Sequence, residues 1–165
     1  MKRQILIFLI LLIPLAGFCP EAHAEQKERM EFNAKKHIFL KSIYEKEFSI
    51  ELFKEALIYA GITEPQIAFK QAVLETGNFT SELFLIGNNC FGLRQAKSRP
   101  TPSIGEFDSH ATYWHFYDSI RDYGMLQEWY INRGFNPNDY YGFLQEIGYA
   151  TDPLYINKLK NLDIV

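Results

Sequence analysis

The chain begins with a cationic tripeptide, Met1-Lys2-Arg3, and then runs almost uninterrupted through apolar residues from Ile5 to Phe18. That run is 14 residues long and contains Pro14, whereas a membrane-spanning helix needs about 20 apolar residues. The small-x-small sequence Ala22-His23-Ala24 follows, just before Glu25. This order describes a secretory signal peptide over residues 1–24 and predicts a mature chain that starts near Glu25 with no stable membrane anchor. Cys19 is not placed for lipidation, because Phe18 stands where a lipobox carries a small residue.

Residues 25–47 are rich in Lys and Glu, with scattered apolar positions at Phe32, Ile38, Phe39, Ile43 and Tyr44, and read as a lead-in segment with some helix. Ser49 then caps a helix through Phe53, Leu57 and Ala60 that Gly61 ends. Thr63 opens the next helix, with Gln66 completing a capping box and Pro65 in the first turn; it runs to about Glu75, where Gly77 stops it. A helical turn near Ser81–Phe84 precedes the turn-rich run Gly87-Asn88-Asn89-Cys90-Phe91-Gly92. Residues 94–109 hold Pro100, Pro102 and Gly105 and should be irregular, and the aromatic, partly β-branched stretch Ala111–Tyr117 predicts a strand or half of a hairpin. Asp118 or Ser119 caps a helix to about Ile131, Asn138 starts another that ends at Gly148, and Thr151-Asp152-Pro153 launches a last one to about Leu162. The pattern is a mainly α (α+β) domain over residues 48–165, five or six helices with a small β hairpin or flap, and a cleft between helices and flap is the natural seat for an extended ligand.

A chain of 165 residues with 47% hydrophobic content is long enough for one well-buried core and too short for two comfortable domains. After cleavage at Ala24 only Cys90 remains of two cysteines, so no intramolecular disulfide can form and the 16% aromatic content must supply the packing. Loss of Lys2, Arg3 and Glu21 moves the formal charge from −3 to −4. That balance excludes a nucleic-acid partner, which needs clustered cations.

Glu75 is the strongest candidate for chemistry. It ends a helix on the same stripe as Ala68 and Ala72, so apolar neighbours limit its hydration. Desolvation and the negative end of the helix dipole both raise a carboxyl pKa and favour a proton donor. Its competing description is a solvated helix-terminal Glu. His110 and His115 are five apart, on opposite faces of a strand, no His-Glu-x-x-His motif occurs, and no metal site or cofactor is expected. Cys90 has no His or Asp beside it and reads as a buried, inert thiol.

Four blocks carry a resemblance: Ala68-Phe69-Lys70-Gln71-Ala72-Val73-Leu74-Glu75-Thr76-Gly77, Asn88-Asn89-Cys90-Phe91-Gly92-Leu93, Tyr117-Asp118-Ser119-Ile120-Arg121-Asp122-Tyr123 and Gly148-Tyr149-Ala150-Thr151-Asp152-Pro153-Leu154-Tyr155. In that order they resemble the bacterial glucosaminidase domain family of autolysins and flagellar peptidoglycan hydrolases. The resemblance implies a lysozyme-like helical fold, Glu75 as catalytic acid, and an endo-β-N-acetylglucosaminidase acting on peptidoglycan glycan strands after export to the periplasm or exterior. It further implies a second acidic residue in the flap, for which Glu106, 31 positions after Glu75, is the candidate and Asp108 the alternative. Tyr149 is implied as a functional tyrosine that orients the substrate N-acetyl group or the acid, against a buried ring anchoring the last helix. Asp152 reads as a cap for that helix.

Saccharides stack on aromatic faces with a few fixed polar groups. Phe91, Tyr113, Trp114 and Tyr117 are the candidate platforms and Asn89 the orienting amide, with Tyr113 and Tyr117 on one strand face and Trp114 and Phe116 on the other. Trp129 and Tyr130, on a helix, read as core. Two other activities fit the same pattern: a lytic transglycosylase or muramidase of the same fold, and an inactive glycan-binding domain.

Overall fold

A computed structural model describes residues 20–163. The cationic start and apolar run of the expected signal peptide lie outside these residues, and Ala22-His23-Ala24 falls inside the first helix, α1 (Pro20–Ser42). The described residues divide into two units, on either side of the step from Ile38 to Phe39. In the first, the described part of α1 is mostly exposed and carries a solvated Lys27–Glu31 pair one turn apart. The second begins nine residues before the domain start read from the sequence, because Phe39 and Ile43 are buried in its core. A 3-10 turn follows at Ile43–Glu45.

Helix α2 (Ile50–Tyr59) starts as expected, with the Ser49 side chain accepting from Leu52 N–H, and buries Leu52, Phe53, Ala56 and Leu57. Helix α3 (Pro65–Glu75) has Pro65 in its first turn but no capping box. Its cap position is Glu64 in a left-handed conformation, and the backbone of Thr63 is held by the Gln127 amide, which accepts from Thr63 N–H and donates to its carbonyl. No side chain caps α3, and Gln127 fixes the residue before its cap position. The remaining elements are α4 (Glu82–Gly87), β1 (Gly105–Phe107), β2 (His110–Thr112), α5 (Phe116–Ile131), α6 (Tyr140–Glu146) and α7 (Tyr155–Asn161). The architecture is the expected mainly α domain with a small antiparallel hairpin, with seven α-helices among the described residues.

Two departures bear on the site. The hairpin sits earlier than read from the sequence: β1 lies in the stretch expected to be irregular, and Glu106 pairs with Ala111 and Phe107 with His110. Asp108 and Ser109 form its two-residue turn with φ of 48° and 62°, the doubly left-handed geometry that suits the right-handed twist of paired strands. The predicted strand over 111–117 therefore ends at Thr112, and Phe116 and Tyr117 belong to α5. His115, not Asp118 or Ser119, caps α5, its Nδ1 accepting from Tyr117 N–H. The two residues expected to cap make long-range bonds instead: Ser119 Oγ accepts from Cys90 N–H, and Asp118 accepts from Tyr44 Oη and Arg121.

The larger core gathers Phe53, Ala68, Phe69, Ala72, Phe91, Ile120 and Tyr123, and a second cluster joins α6 and α7 through Tyr140, Phe143, Leu144, Tyr155 and Leu159. Helix α3 serves both. Ala68, Phe69 and Ala72 face the first, while Ile67 and Leu74 pack on the second. Glu75, at its C-terminal end, emerges where the two clusters meet.

Candidate active site

A cleft of about 560 Å³ opens beside the end of α3, lined by Glu75, the Phe91–Arg94 segment, Trp129 and Tyr149 among others. Three observations describe the acid in it. Burial raises the pKa of Glu75 above the ordinary carboxylate value; a hydrogen bond from Tyr155 and the charge of His110 lower it by less, in that order. Tyr155 Oη donates to Glu75 Oε1 at 2.7 Å. The second oxygen, Oε2, lies against Gly92, where a Cβ would stand 2.9 Å away and where φ is +61°. Gly92 is therefore required twice, by its backbone conformation and by the close approach of the carboxylate.

One turn back on the same face of α3 stands Gln71, fully buried. Its Oε1 accepts from Tyr123 Oη and Tyr140 Oη at 2.7 Å each, and Gln127 Nε2 donates to Tyr140 Oη at 3.0 Å. Gln71 Nε2 is buried and, among the described residues, makes no hydrogen bond of normal geometry, although it acts on the nearby Tyr155 hydroxyl. The acid thus stands at the open end of a buried polar spine that binds α3 to α5, α6 and α7. Tyr155 and Gln71 were not singled out from the sequence, although the i,i+4 spacing of Gln71 and Glu75 beside Ala68 and Ala72 carried the signal.

Tyr149 lines the cleft, and its hydroxyl donates to Phe91 O at 2.6 Å. Burial pushes that hydroxyl's pKa well above the usual tyrosine value, so it stays a neutral donor committed to the turn carrying Gly92. Asp152 does not cap α7 as expected: the cap position is Leu154, with no side-chain cap bond, and Asp152 instead accepts from Leu154 N–H in the turn before the helix and holds Lys158 at 2.6 Å.

The substrate-binding candidates are mostly internal. Asn89 is fully buried: its amide donates to Leu93 O and Ala111 O, and its Oδ1 accepts from Phe91 and Leu93 N–H. It orients the chain, with no polar atom left for a ligand. The Phe91 ring is buried and stacks on Tyr123 at 4.1 Å between centroids. Tyr113 is buried with its hydroxyl on Asp122, whose other oxygen takes Arg99. Tyr117 is buried in the first turn of α5 against Tyr44 and Phe39. Alternation failed here because a strand gives way to a helix between Thr112 and Phe116. Trp114 is 81% exposed but is not among the residues lining the cleft.

The cleft's aromatic wall comes instead from α5, where Leu126, Trp129 and Tyr130 recur at helical spacing. Trp129 was expected in the core. It is half-buried, with the Arg133 guanidinium 3.3 Å over its ring. On the hairpin, Glu106 is exposed and likewise absent from the cleft lining, while His110 acts electrostatically on Glu75. Cys90 is free and buried, and burial raises its thiol pKa, as expected of an inert cysteine. No group of three or more His, Cys, Asp or Glu that could hold a metal ion occurs among the described residues.

Comparison with curated proteins and with solved structures returned no match. A family model does match: glucosaminidase, described as mannosyl-glycoprotein endo-beta-N-acetylglucosaminidase, over residues 50–162. The match takes in α2 to α7, and with them Glu75, Gly92, Trp129, Tyr149 and Tyr155. The chain belongs to the glucosaminidase family of glycoside hydrolases.

Proposed function

We propose that the protein hydrolyses the β-1,4 bond after N-acetylglucosamine in peptidoglycan glycan strands, with Glu75 as general acid. The observation that carries this reading is a carboxyl whose pKa burial raises, standing on the wall of a cleft of about 560 Å³. Family membership supports the reaction class, and the four sequence blocks support the wall polymer as substrate. Glu75 gives its proton to the leaving glycosidic oxygen as the C1–O bond breaks, and Tyr155, donating to the other carboxyl oxygen, steadies the carboxylate that results. Trp129 offers an apolar ring for a sugar face. Glu106 stands outside the cleft lining, so its action as base requires the hairpin to move toward the bound strand; without that movement the substrate's 2-acetamido group stabilises the oxocarbenium-like centre.

Product analysis on purified wall glycan tests the proposal. Hydrolysis leaves reducing N-acetylglucosamine ends, whereas a lytic transglycosylase leaves anhydro-muramyl ends and a muramidase reducing muramic ends. A mannosyl glycoprotein as parallel substrate distinguishes the wall polymer from the substrate in the family description. Release from the glycoprotein alone would overturn the wall assignment.

A further inference from the structure

The cleft holds a charge that acid catalysis does not use. Of its two arginines, Arg99 is already neutralised: its side chain is buried and its Nη1 donates to Asp122 and to Pro100 O. Arg94 lines the same cleft, is exposed, and has no hydrogen bond or ion pair to another described residue. Its place on the wall is fixed by its neighbours. Leu93 N–H and C=O are held by the Asn89 amide, and Leu93 O accepts from Ala111 N–H at 2.8 Å. Gly92, two residues before Arg94 and within about 7 Å of it along the chain, touches the Glu75 carboxylate. With Glu75 biased toward its neutral form, this wall of an acidic protein is locally positive. A free guanidinium fork there matches a carboxylate.

We infer that Arg94 determines specificity by binding a carboxylate carried by the sugar strand, so that the cleft favours acid-bearing glycans over neutral N-acetylglucosamine polymers. The inference rests on the cleft being the glycan site. In wall glycan two carboxylates could serve: that of the peptide amide-linked to the muramic lactyl group, and the lactyl acid itself once the peptide is removed.

Binding by the full chain carrying Glu75→Gln, which holds substrate without cleaving it, tests the inference on three glycans of equal length. They are strands with stem peptides, strands stripped by an amidase to free the lactyl acid, and neutral N-acetylglucosamine oligomers. Adding Arg94→Gln lowers affinity roughly tenfold for at least one acid-bearing glycan and leaves the neutral oligomer unchanged. Arg94→Lys recovers part of the loss, and salt weakens binding only while position 94 is cationic. Loss on peptide-bearing strands alone identifies the stem peptide, and loss on stripped strands identifies the lactyl acid. An equal loss on the neutral oligomer, or no loss on any glycan, overturns the inference while leaving the cleft as a saccharide site. No binding of any of the three by the Glu75→Gln chain overturns the glycan reading and the inference together.

Discussion

At the scale of single residues, the site depends on one half-buried carboxyl group. Because burial raises the pKa of folded Glu75 above its unfolded value, the unfolded chain binds fewer protons between the two pKa values. Stability therefore falls as pH rises through that window and is unaffected below it. Glu75→Gln removes this cost, so the variant melts above wild type at about pH 8 and converges with it at about pH 3. Calorimetry at the two pH values checks this, and a variant that melts lower at the higher pH contradicts it. Tyr155→Phe removes a bond that lowers the Glu75 pKa. The basic limb of kcat/KM should therefore move to higher pH; an unmoved limb would separate Tyr155 from the acid. Gly92→Ala forces an L side chain into a left-handed conformation against Glu75 Oε2, costing roughly 1–2 kcal/mol. Thermal unfolding should show that loss together with a fall in turnover. Glu75 was legible because a small apolar stripe led to it at helical spacing. Gly92 and Tyr155 were not, since their roles come from contacts between segments distant in sequence; Gln71 could be placed beside Glu75 by helical spacing, but its partners Tyr123 and Tyr140 could not.

At the scale of elements, local signals held where neighbours in sequence do the work and failed where distant groups replace them. Ser49 and Ser81 cap α2 and α4 through their own side chains, and both starts could be read from the pattern. Thr63, Asp118 and Ser119 are equally good local caps, yet Gln127 holds the Thr63 backbone, and Tyr44 Oη and Cys90 N–H engage the side chains of Asp118 and Ser119. The hairpin was displaced because Asp108-Ser109 is a weak written signal for a turn with two positive φ angles, where Asn-Gly would be explicit. The tryptophan on the cleft wall is Trp129 on α5 and not Trp114 beside the hairpin. Trp129→Ala should accordingly raise KM for glycan strands with a smaller change in kcat, while Trp114→Ala changes neither; steady-state kinetics on soluble strands decides, and the reverse pattern would return the platform to the hairpin. The same measurement weighs the paired-carboxylate model. A fall in kcat of about a hundredfold for Glu106→Gln supports closure of the hairpin over substrate, and activity within a few-fold of wild type assigns the second role to Asp108 or to the substrate acetamido group. Collapse on Asp108→Asn alone selects Asp108.

At the scale of the whole molecule, α3 carries the acid between two aromatic clusters, and a buried hydroxyl and amide spine fixes its end without a disulfide. The mainly α class, the hairpin and the family were legible because helix punctuation is dense and the four blocks keep their order. The cleft wall was not, because it is assembled from α5, the 91–99 segment and the loop before α7. Export is an expectation of the N-terminal pattern. Sequencing of protein recovered from outside the cytoplasmic membrane should begin near Glu25, and recovery of Met1 there would contradict it. The most direct test of the central claim is a peptidoglycan gel run with wild type and Glu75→Gln, each shown by circular dichroism to be folded. Wild type should clear the gel and release reducing N-acetylglucosamine ends while the folded variant clears nothing; clearing by the variant at wild-type strength would contradict the assignment of Glu75.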